Sequence, residues 1–320
     1  MKADIGIYHG DEAWALKGLG IDFEKAFQEL GFTTVRTDQV FNGIRPLNAR
    51  NHFFVQQGQL LVFCSNLNLI PKNTICLFTH YSSDFGEQLK VLNRSKGVIF
   101  FSQYQEALAL SNGLKDDIST SIIMAADPKK HRILKDDELN KKLIQSFELN
   151  PKREYVGFCL KYWEKNTYQS RKSYSKIIEV IGKLVKVGIP CMILGPGWKK
   201  AKDLSDKVKL IETEYKNYEH FYNIMSIFTS ISINEGGPLP LLESMMCGAT
   251  PVATTTGFSN ELMLDLYPQN LLPCMTESND IARKIISCYH RTANPSLVSQ
   301  HAQAFSFLNA AQLISSKFFQ

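Results

Sequence analysis

The chain has 320 residues, of which 44% are hydrophobic and 21% charged, with a formal net charge of +5. This is the composition of an ordinary globular protein, long enough for two domains of roughly 150 residues each, and no apolar run approaches the roughly 20 residues of a membrane span. The mild basic excess would suit an anionic nucleotide, an acidic membrane surface or nucleic acid, although charge at this level more often serves only solubility. Seven cysteines, Cys64, Cys76, Cys159, Cys191, Cys247, Cys274 and Cys288, are odd in number and scattered, mostly in apolar runs. They read as free thiols in a reducing compartment, with no CxxC pair to suggest zinc. The N-terminal MKADIGIYHGDEAW lacks the apolar core of a signal peptide, so a cytoplasmic protein is expected.

Along the first half, β-like and amphipathic segments alternate: Asp4–Tyr8, Phe23–Leu30, Gln59–Cys64, Thr74–Phe78, Phe85–Leu92, Gly97–Ser102 and Gln105–Asn112. Alternation of this kind predicts a parallel sheet flanked by helices. The half ends near Ser121–Asp127. The hydrophilic stretch Lys135–Arg153, with Asn150-Pro151, reads as the interdomain link, so the first domain is set at 1–145 and the second at 146–299. The second series runs Glu154–Leu160, Tyr174–Val187, Pro190–Leu194 and Val208–Ile211. The final segment, Pro295–Gln320, carries helical apolar spacing at Phe305, Leu308, Ala311 and Leu313.

The richest stretch is Ile231–Ala253, ISINEGGPLPLLESMMCGATPVA. The β-rich run Ser226–Asn234 breaks at Glu235, Gly236 and Gly237, and Pro240 pre-sets φ for a helix whose first turns hold Leu241, Leu242 and Glu243. Glycines at a strand-to-helix handover let backbone approach a ligand, and the open N–H groups and positive dipole end of a helix start attract phosphate. A carboxylate beside such a site can instead accept hydrogen bonds from the vicinal hydroxyls of a sugar. Glu235 and Glu243 therefore suggest two sugars, one on each side of a diphosphate. The stop at Cys247-Gly248 and the β-run Thr250–Thr254 complete a strand–helix–strand unit.

These residues resemble the retaining glycosyltransferases of the GT-B fold, the group 1 or glycosyltransferase family 4 type. The family's E-x7-E signature matches Glu235 and Glu243, and its pattern E-G-x-P-x-x-x-L-E-A-M-A-C-G-x-P-V-V-A is closely followed by EGGPLPLLESMMCGATPVA. Ser244 and Met246 replace the usual alanines. Thr256-Gly257 and Glu261 look like the family's following glycine loop and its glutamate, and Tyr218–Ser230 resembles the helix and strand leading into the site. The resemblance thins toward the N-terminus. It implies an α/β fold of two Rossmann-like, doubly wound parallel-sheet domains facing across a cleft, acceptor side first and donor side second, with a C-terminal helix at about 300–320 crossing back to the first domain.

The same resemblance implies roles residue by residue. Glu243 would hold the ribose hydroxyls of the donor and Glu235 would orient the transferred sugar, beside Gly236, Gly237, Pro238 and Leu239. Lys172 matches the family's phosphate-clamping lysine, although Ser173 replaces the glycine that usually follows it, and either Arg171 or Lys161 stands in for its arginine. Leu194-Gly195-Pro196-Gly197 resembles the turn beneath the nucleotide, and Glu212–Tyr215 occupies the position where the backbone meets the base. In the first half, Gly18-Leu19-Gly20, expected ahead of a helix, resembles the glycine loop that approaches the donor phosphate. His80, with Asp84 nearby, matches a histidine facing the donor sugar. His9 and Asp11 could reach the acceptor by position only.

The implied reaction is transfer from a nucleotide diphosphate sugar to an acceptor hydroxyl with retention, catalysed by Glu235, His80 and Lys172. No cofactor and no metal are expected, since cations and the helix dipole would neutralise the leaving phosphate and the chain has no DxD motif. The acceptor would be a glycan, a lipid-linked sugar or another hydroxyl, in surface glycan or polysaccharide synthesis, with peripheral association at the inner face of a membrane in view. A nucleotide-sugar epimerase or hydrolase of the same fold remains the alternative. So does transfer to nucleic acid, although the basic runs Lys129–Arg132 and Lys199–Lys202 are short and lack stacking aromatics apart from Trp198. An NAD-dependent Rossmann enzyme would want GxGxxG after the first strand, where Ile7-Tyr8-His9-Gly10 offers none.

Overall fold

A computed structural model describes residues 2–9, 14–37, 46–56, 60–61, 73–79, 85–164 and 171–319. The chain divides into two compact units, Met1–Ala125 with Phe305–Gln320, and Ala126–Ala304. Residues 126–145, which the sequence grouped with the first half, lie in the second unit.

In the first unit, β1 (Ala3–Tyr8), β2 (Thr34–Thr37), β3 (Ala49–Phe54), β4 (Thr74–Phe78), β5 (Gly97–Phe100) and β6 (Ser119–Ser121) form one parallel sheet in the order β2-β1-β3-β4-β5-β6. Every residue of β4 and β5 is buried, as expected for central parallel strands covered on both faces. Between its strands lie α1 (Trp14–Glu29), α2 (Phe85–Leu92) and α3 (Gln103–Ser111). Two strands, β2 and β3, escape a reading by hydrophobic pattern because TVRT and ARNHFF carry polar residues in half or more of their positions. Of the Gln59–Cys64 segment only Leu60 and Leu61 are described, and they are helical.

In the second unit, β7 (Tyr155–Cys159), β8 (Cys191–Leu194), β9 (Lys209–Ile211), β10 (Met225–Ser230), β11 (Thr250–Thr254) and β12 (Leu271–Leu272) form a parallel sheet in the order β12-β11-β10-β7-β8-β9. Counted from β7, this is the doubly wound dinucleotide-fold order, whose direction of winding reverses between its first and fourth strands. That switch point lies between β7 and β10, and ligands of such sheets bind beyond the carboxyl ends of the two strands.

The α-helices of this unit are α4 (Lys141–Ser146), before β7, α5 (Tyr174–Lys186), α6 (Tyr218–Ile224), α7 (Leu239–Met246) and α8 (Ser259–Met263), between its strands, and α9 (Ser278–Tyr289) and α10 (Pro295–Gln303), after β12. Ile177, Val180, Ile181 and Leu184 put one apolar stripe of α5 into the core, where it meets Ile281, Ala282, Ile285 and Cys288 of α9. All of Leu241 to Met246 in α7 are buried, so this helix is enclosed on every side.

The terminal helix α11 (Phe307–Phe318) belongs to the first unit, packing on α1 and β5. Phe307 meets Phe23 edge to face at 5.1 Å, and the Phe318 ring lies where a Cβ on Gly97 would fall within 2.7 Å. The buried face is Phe307, Ala310, Ala311, Ile314 and Phe318, which corrects the expected stripe of Phe305, Leu308, Ala311 and Leu313. Only Ala311 is common to both, and Leu313 is 60% exposed. Small alanines let the helix approach its neighbours closely, so its inward face is less hydrophobic by sequence than a stripe of larger residues would be.

Candidate functional site

The loops that leave β7 and β10 meet at the switch point of the second sheet. The Arg171 carbonyl, on the β7 side, accepts from the amides of Ile233 at 2.9 Å and Asn234 at 3.4 Å on the β10 side. The β10 loop is tied in turn to the segment after β11: Thr254 Oγ1 donates to the Ser232 carbonyl at 2.6 Å, and the Glu235 amide donates to Thr256 Oγ1 at 2.9 Å. Among the described residues no acceptor takes the Gly236 and Gly237 amides, which precede α7. Pro238 and Pro240 flank the first residue of that helix and shape its entry.

Glu235 is 9% exposed. Lys172 Nζ donates to its Oε1, and Ser232 Oγ donates to the same oxygen at 2.8 Å. Burial alone would raise this carboxyl, but Lys172 and Arg171, with the hydrogen bonds from Lys172 and Ser232, hold it below the usual carboxylate range. Ser173, which follows Lys172 and caps α5, adopts a left-handed backbone with φ 55°. A glycine would take that conformation without strain, which accounts physically for the expectation of glycine here. The buried Ser173 Oγ has no hydrogen-bond partner among the described residues.

Glu243 is 1% exposed and meets different chemistry. Tyr222 Oη donates to Oε2 at 2.9 Å, Tyr215 Oη donates to Oε1, and His131 Nε2 lies 3.6 Å from Oε1. Tyr222 Oη also lies 3.4 Å from Cys159 Sγ at the end of β7. Burial pushes the Cys159 thiol up to about 12, with its contact to Tyr222 opposing, Glu243 adding and Lys172 opposing. Cys159 therefore feels both halves of the site. Burial also drives the Tyr222 phenol far above its ordinary value, aided by Cys159 and Glu243, so it acts as a fixed donor.

In the structure Lys172 and Arg171 lie beside Glu235, and Gly236, Gly237, Pro238 and Leu239 follow it in the chain. Lys161 Nζ sits 3.8 Å over the Trp163 ring. Gly195 has φ 136°, and a Cβ there would come within 2.4 Å of the Leu160 carbonyl oxygen, so the β8 turn needs glycine to nest against the β7 loop. Trp198, buried at 1% exposure and donating to Leu160 O at 2.8 Å, is no surface stacking platform for nucleic acid.

Gly18-Leu19-Gly20 does not precede a helix: α1 starts at Trp14, which places both glycines within it, and that correction removes the expected loop. Gly20 is accounted for by packing, because a Cβ there would come within 2.8 Å of the His9 ring, while His9 itself contacts Arg36 at 3.2 Å. His80, Asp84 and Asp11 lie outside the described residues. Sequence reasoning missed Ser232, Tyr222 and His131, which hold the two carboxylates. Glu235 and Glu243 are both buried against protein partners.

Among the described residues no group of three or more His, Cys, Asp or Glu side chains could hold a metal, and no helix is long and apolar enough to cross a membrane. Four of the described free cysteines, Cys76, Cys191, Cys247 and Cys288, are buried.

A family model described as glycosyl transferases group 1 matches residues 165–304. No protein with a curated description matches the chain by sequence. Solved structures share its fold throughout. A glycosyltransferase from Rickettsia africae superposes with a TM-score of 0.75 at 15% identity, over 99% of this chain and 98% of that one. Alr3699/HepE from Anabaena, in complex with UDP-glucose, gives 0.74 at 15% identity, over 98% of each chain. Sucrose-phosphate synthase from Thermosynechococcus elongatus gives 0.70 at 14% identity, again over 98% of each. The chain thus has the two-domain α/β fold of the GT-B glycosyltransferases.

Proposed function

We propose that the protein is a glycosyltransferase that moves a sugar from a nucleotide diphosphate sugar to an acceptor hydroxyl, and that it retains the anomeric configuration. The observation that carries this reading is the buried Glu235 carboxylate, held ionised by Lys172 and Arg171 at the switch point of the second sheet, beside the Gly236 and Gly237 amides, which no acceptor takes among the described residues. The match of residues 165–304 to the group 1 model covers all of these groups. UDP and UDP-glucose in the Anabaena protein of the same fold support a nucleotide sugar as the donor class.

In this reading the Gly236 and Gly237 amides and the start of α7 face the diphosphate. The bond between the anomeric carbon and the phosphate oxygen breaks, and the leaving nucleotide gains negative charge that Lys172 and Arg171 stabilise. The acceptor oxygen bonds to the same face of the anomeric carbon, and its proton passes to the departing phosphate oxygen. Glu235 orients the transferred sugar, and its bond to Lys172 fixes the cation. Glu243 takes the ribose hydroxyls. His80 is assigned to the donor sugar by the sequence resemblance alone. A glycan or lipid-linked acceptor, made at the inner face of a membrane, fits this chemistry.

The test is to incubate the purified protein with UDP-, GDP-, ADP- and dTDP-sugars and follow binding and slow hydrolysis by NMR. One base and one sugar should be preferred, and the sugar first released should keep the donor's anomeric configuration. A protein that leaves every nucleotide sugar unbound and intact would overturn the assignment. Conversion of the donor to an epimeric sugar would favour the epimerase alternative.

A further inference from the structure

Glu243 has no open face in this structure. Phenols occupy both carboxylate oxygens, Tyr222 on Oε2 and Tyr215 on Oε1, and His131 Nε2 closes in at 3.6 Å from Oε1 and 3.3 Å from Tyr215 Oη. An ionised carboxylate is acceptor-only, so the two donors satisfy it in the way a pair of vicinal hydroxyls would.

The two phenols are held very differently. Tyr222 is fully buried in α6, with its ring 6.0 Å from Phe228 and 6.1 Å from Tyr218. Tyr215 is half-buried, and it opens a three-residue 3-10 turn, Tyr215–Asn217, with exposed Glu214 before it and exposed Lys216 after it. The Tyr215 ring also meets those of Tyr218 at 5.2 Å and His131 at 5.9 Å, but it keeps part of its surface in solvent, so the Tyr215 side chain has a way out from Glu243 that the fully buried Tyr222 side chain lacks.

We propose that the Tyr215 phenol is a displaceable cap on Glu243, holding the carboxylate in the donor-free protein where the ribose hydroxyls of a nucleoside diphosphate bind. The inference rests on the donor-site reading above and adds to it a step that the ligand must drive. Ribose binding breaks the Tyr215–Glu243 hydrogen bond and replaces it with bonds from the sugar, while Tyr222 stays in place as the fixed donor beneath. The free protein keeps its buried carboxylate satisfied, which is why a nearly inaccessible glutamate can persist at this position.

Removing the cap's hydroxyl should therefore help the ligand. Tyr215→Phe keeps the ring and loses the hydroxyl that bonds Glu243 and neighbours His131, so the affinity for nucleoside diphosphate should rise about tenfold, in line with the net strength of a hydrogen bond to a charged group. Tyr222→Phe should lower it, because the carboxylate loses its fixed partner. The measurement is calorimetric titration of the full chain and both variants with UDP, GDP, ADP and dTDP, with thermal unfolding of each variant as the control for folding.

Tighter binding in Tyr215→Phe, or binding seen only in that variant, supports the cap. Equal or weaker binding in a folded Tyr215→Phe overturns it and leaves the donor-site reading standing. Absence of nucleotide binding in both the wild type and Tyr215→Phe overturns the two together. A crystal structure of a nucleotide complex with Tyr215 Oη still on Glu243 would likewise refute the cap.

Discussion

Glu235 and Glu243 lie eight positions apart in one motif, both nearly inaccessible, yet the fold keeps each in a different electrostatic state. Glu235 is matched by cations, Lys172 in contact and Arg171 nearby, from the loop after β7. Glu243 is matched by neutral donors, Tyr215 and Tyr222, with His131 beside them. The difference teaches how a motif divides labour. A carboxylate already bonded to a cation fixes positive charge beside the place where phosphate would arrive, whereas one held by hydroxyls is prepared to accept hydroxyls.

The largest test of this contrast is Glu235→Gln, which removes the charge while nearly preserving shape. Transferase activity should fall by at least about 10²-fold, the scale seen when one charge-stabilising group leaves an active site. Unchanged turnover would remove Glu235 from the chemistry. Glu243→Gln should act mainly on nucleotide affinity, so steady-state kinetics with varied donor should show a raised KM for it and a lowered kcat for Glu235→Gln.

Lys172→Met attacks the pair from the other side and leaves a buried carboxylate with only Arg171. Breaking a buried pair costs about 3–5 kcal/mol, and the low end applies because Lys172 keeps 24% of its side chain exposed. The sign with pH follows from the carboxyl lying below its ordinary value in the folded protein. Its stabilisation is present above about pH 4.3 and is lost as pH falls through the lower, folded value. In Lys172→Met, burial dominates and raises the carboxyl, so the variant regains stability as pH falls toward 4. Urea unfolding at pH 7 and pH 4.5 should show the gap between wild type and variant narrowing in acid. Adding Glu235→Gln to Lys172→Met should restore part of the loss at pH 7.

On the Glu243 side, Tyr222→Phe leaves Oε2 without its donor and should cost about 1–3 kcal/mol in urea unfolding at pH 7.

Glu219, at the start of α6, supplies an intermediate case. Burial raises its carboxyl to about 6, with Arg132 opposing, and its Oε1 has no hydrogen-bond partner among the described residues. A raised carboxyl destabilises the fold above its folded value and ceases to do so below the ordinary one. Glu219→Gln should therefore stabilise the protein at pH 7 to 8 by less than about 1 kcal/mol, given its partial exposure, and should change nothing at pH 4.

Local chemistry was legible in the sequence and long-range satisfaction was not. The β10–α7 handover could be read because Gly236, Gly237, Pro238 and Pro240 mark it within a few residues, and Lys172 could be matched through the strand that precedes it. Tyr222 and Glu243 are 21 residues apart and meet only through the packing of α6 against α7, and nothing in their spacing announces the contact. His131 stands farther still from Glu243 along the chain. The glycines of α1 misled for a local reason. Gly18 and Gly20 argue against helix by propensity, but the close approach of α1 to His9 requires one of them inside the helix. The order of the second sheet, which places β7 beside β10 and so creates the site, follows from topology that hydrophobic runs alone do not encode.

The most direct test of the donor-site account is to titrate the wild type, Glu235→Gln and Glu243→Gln in parallel with the preferred nucleotide sugar and with its bare nucleoside diphosphate. The account predicts that Glu243→Gln weakens both ligands alike, while Glu235→Gln erases only the added affinity contributed by the sugar. Equal binding of both ligands by all three proteins, or no binding by the wild type, would contradict it.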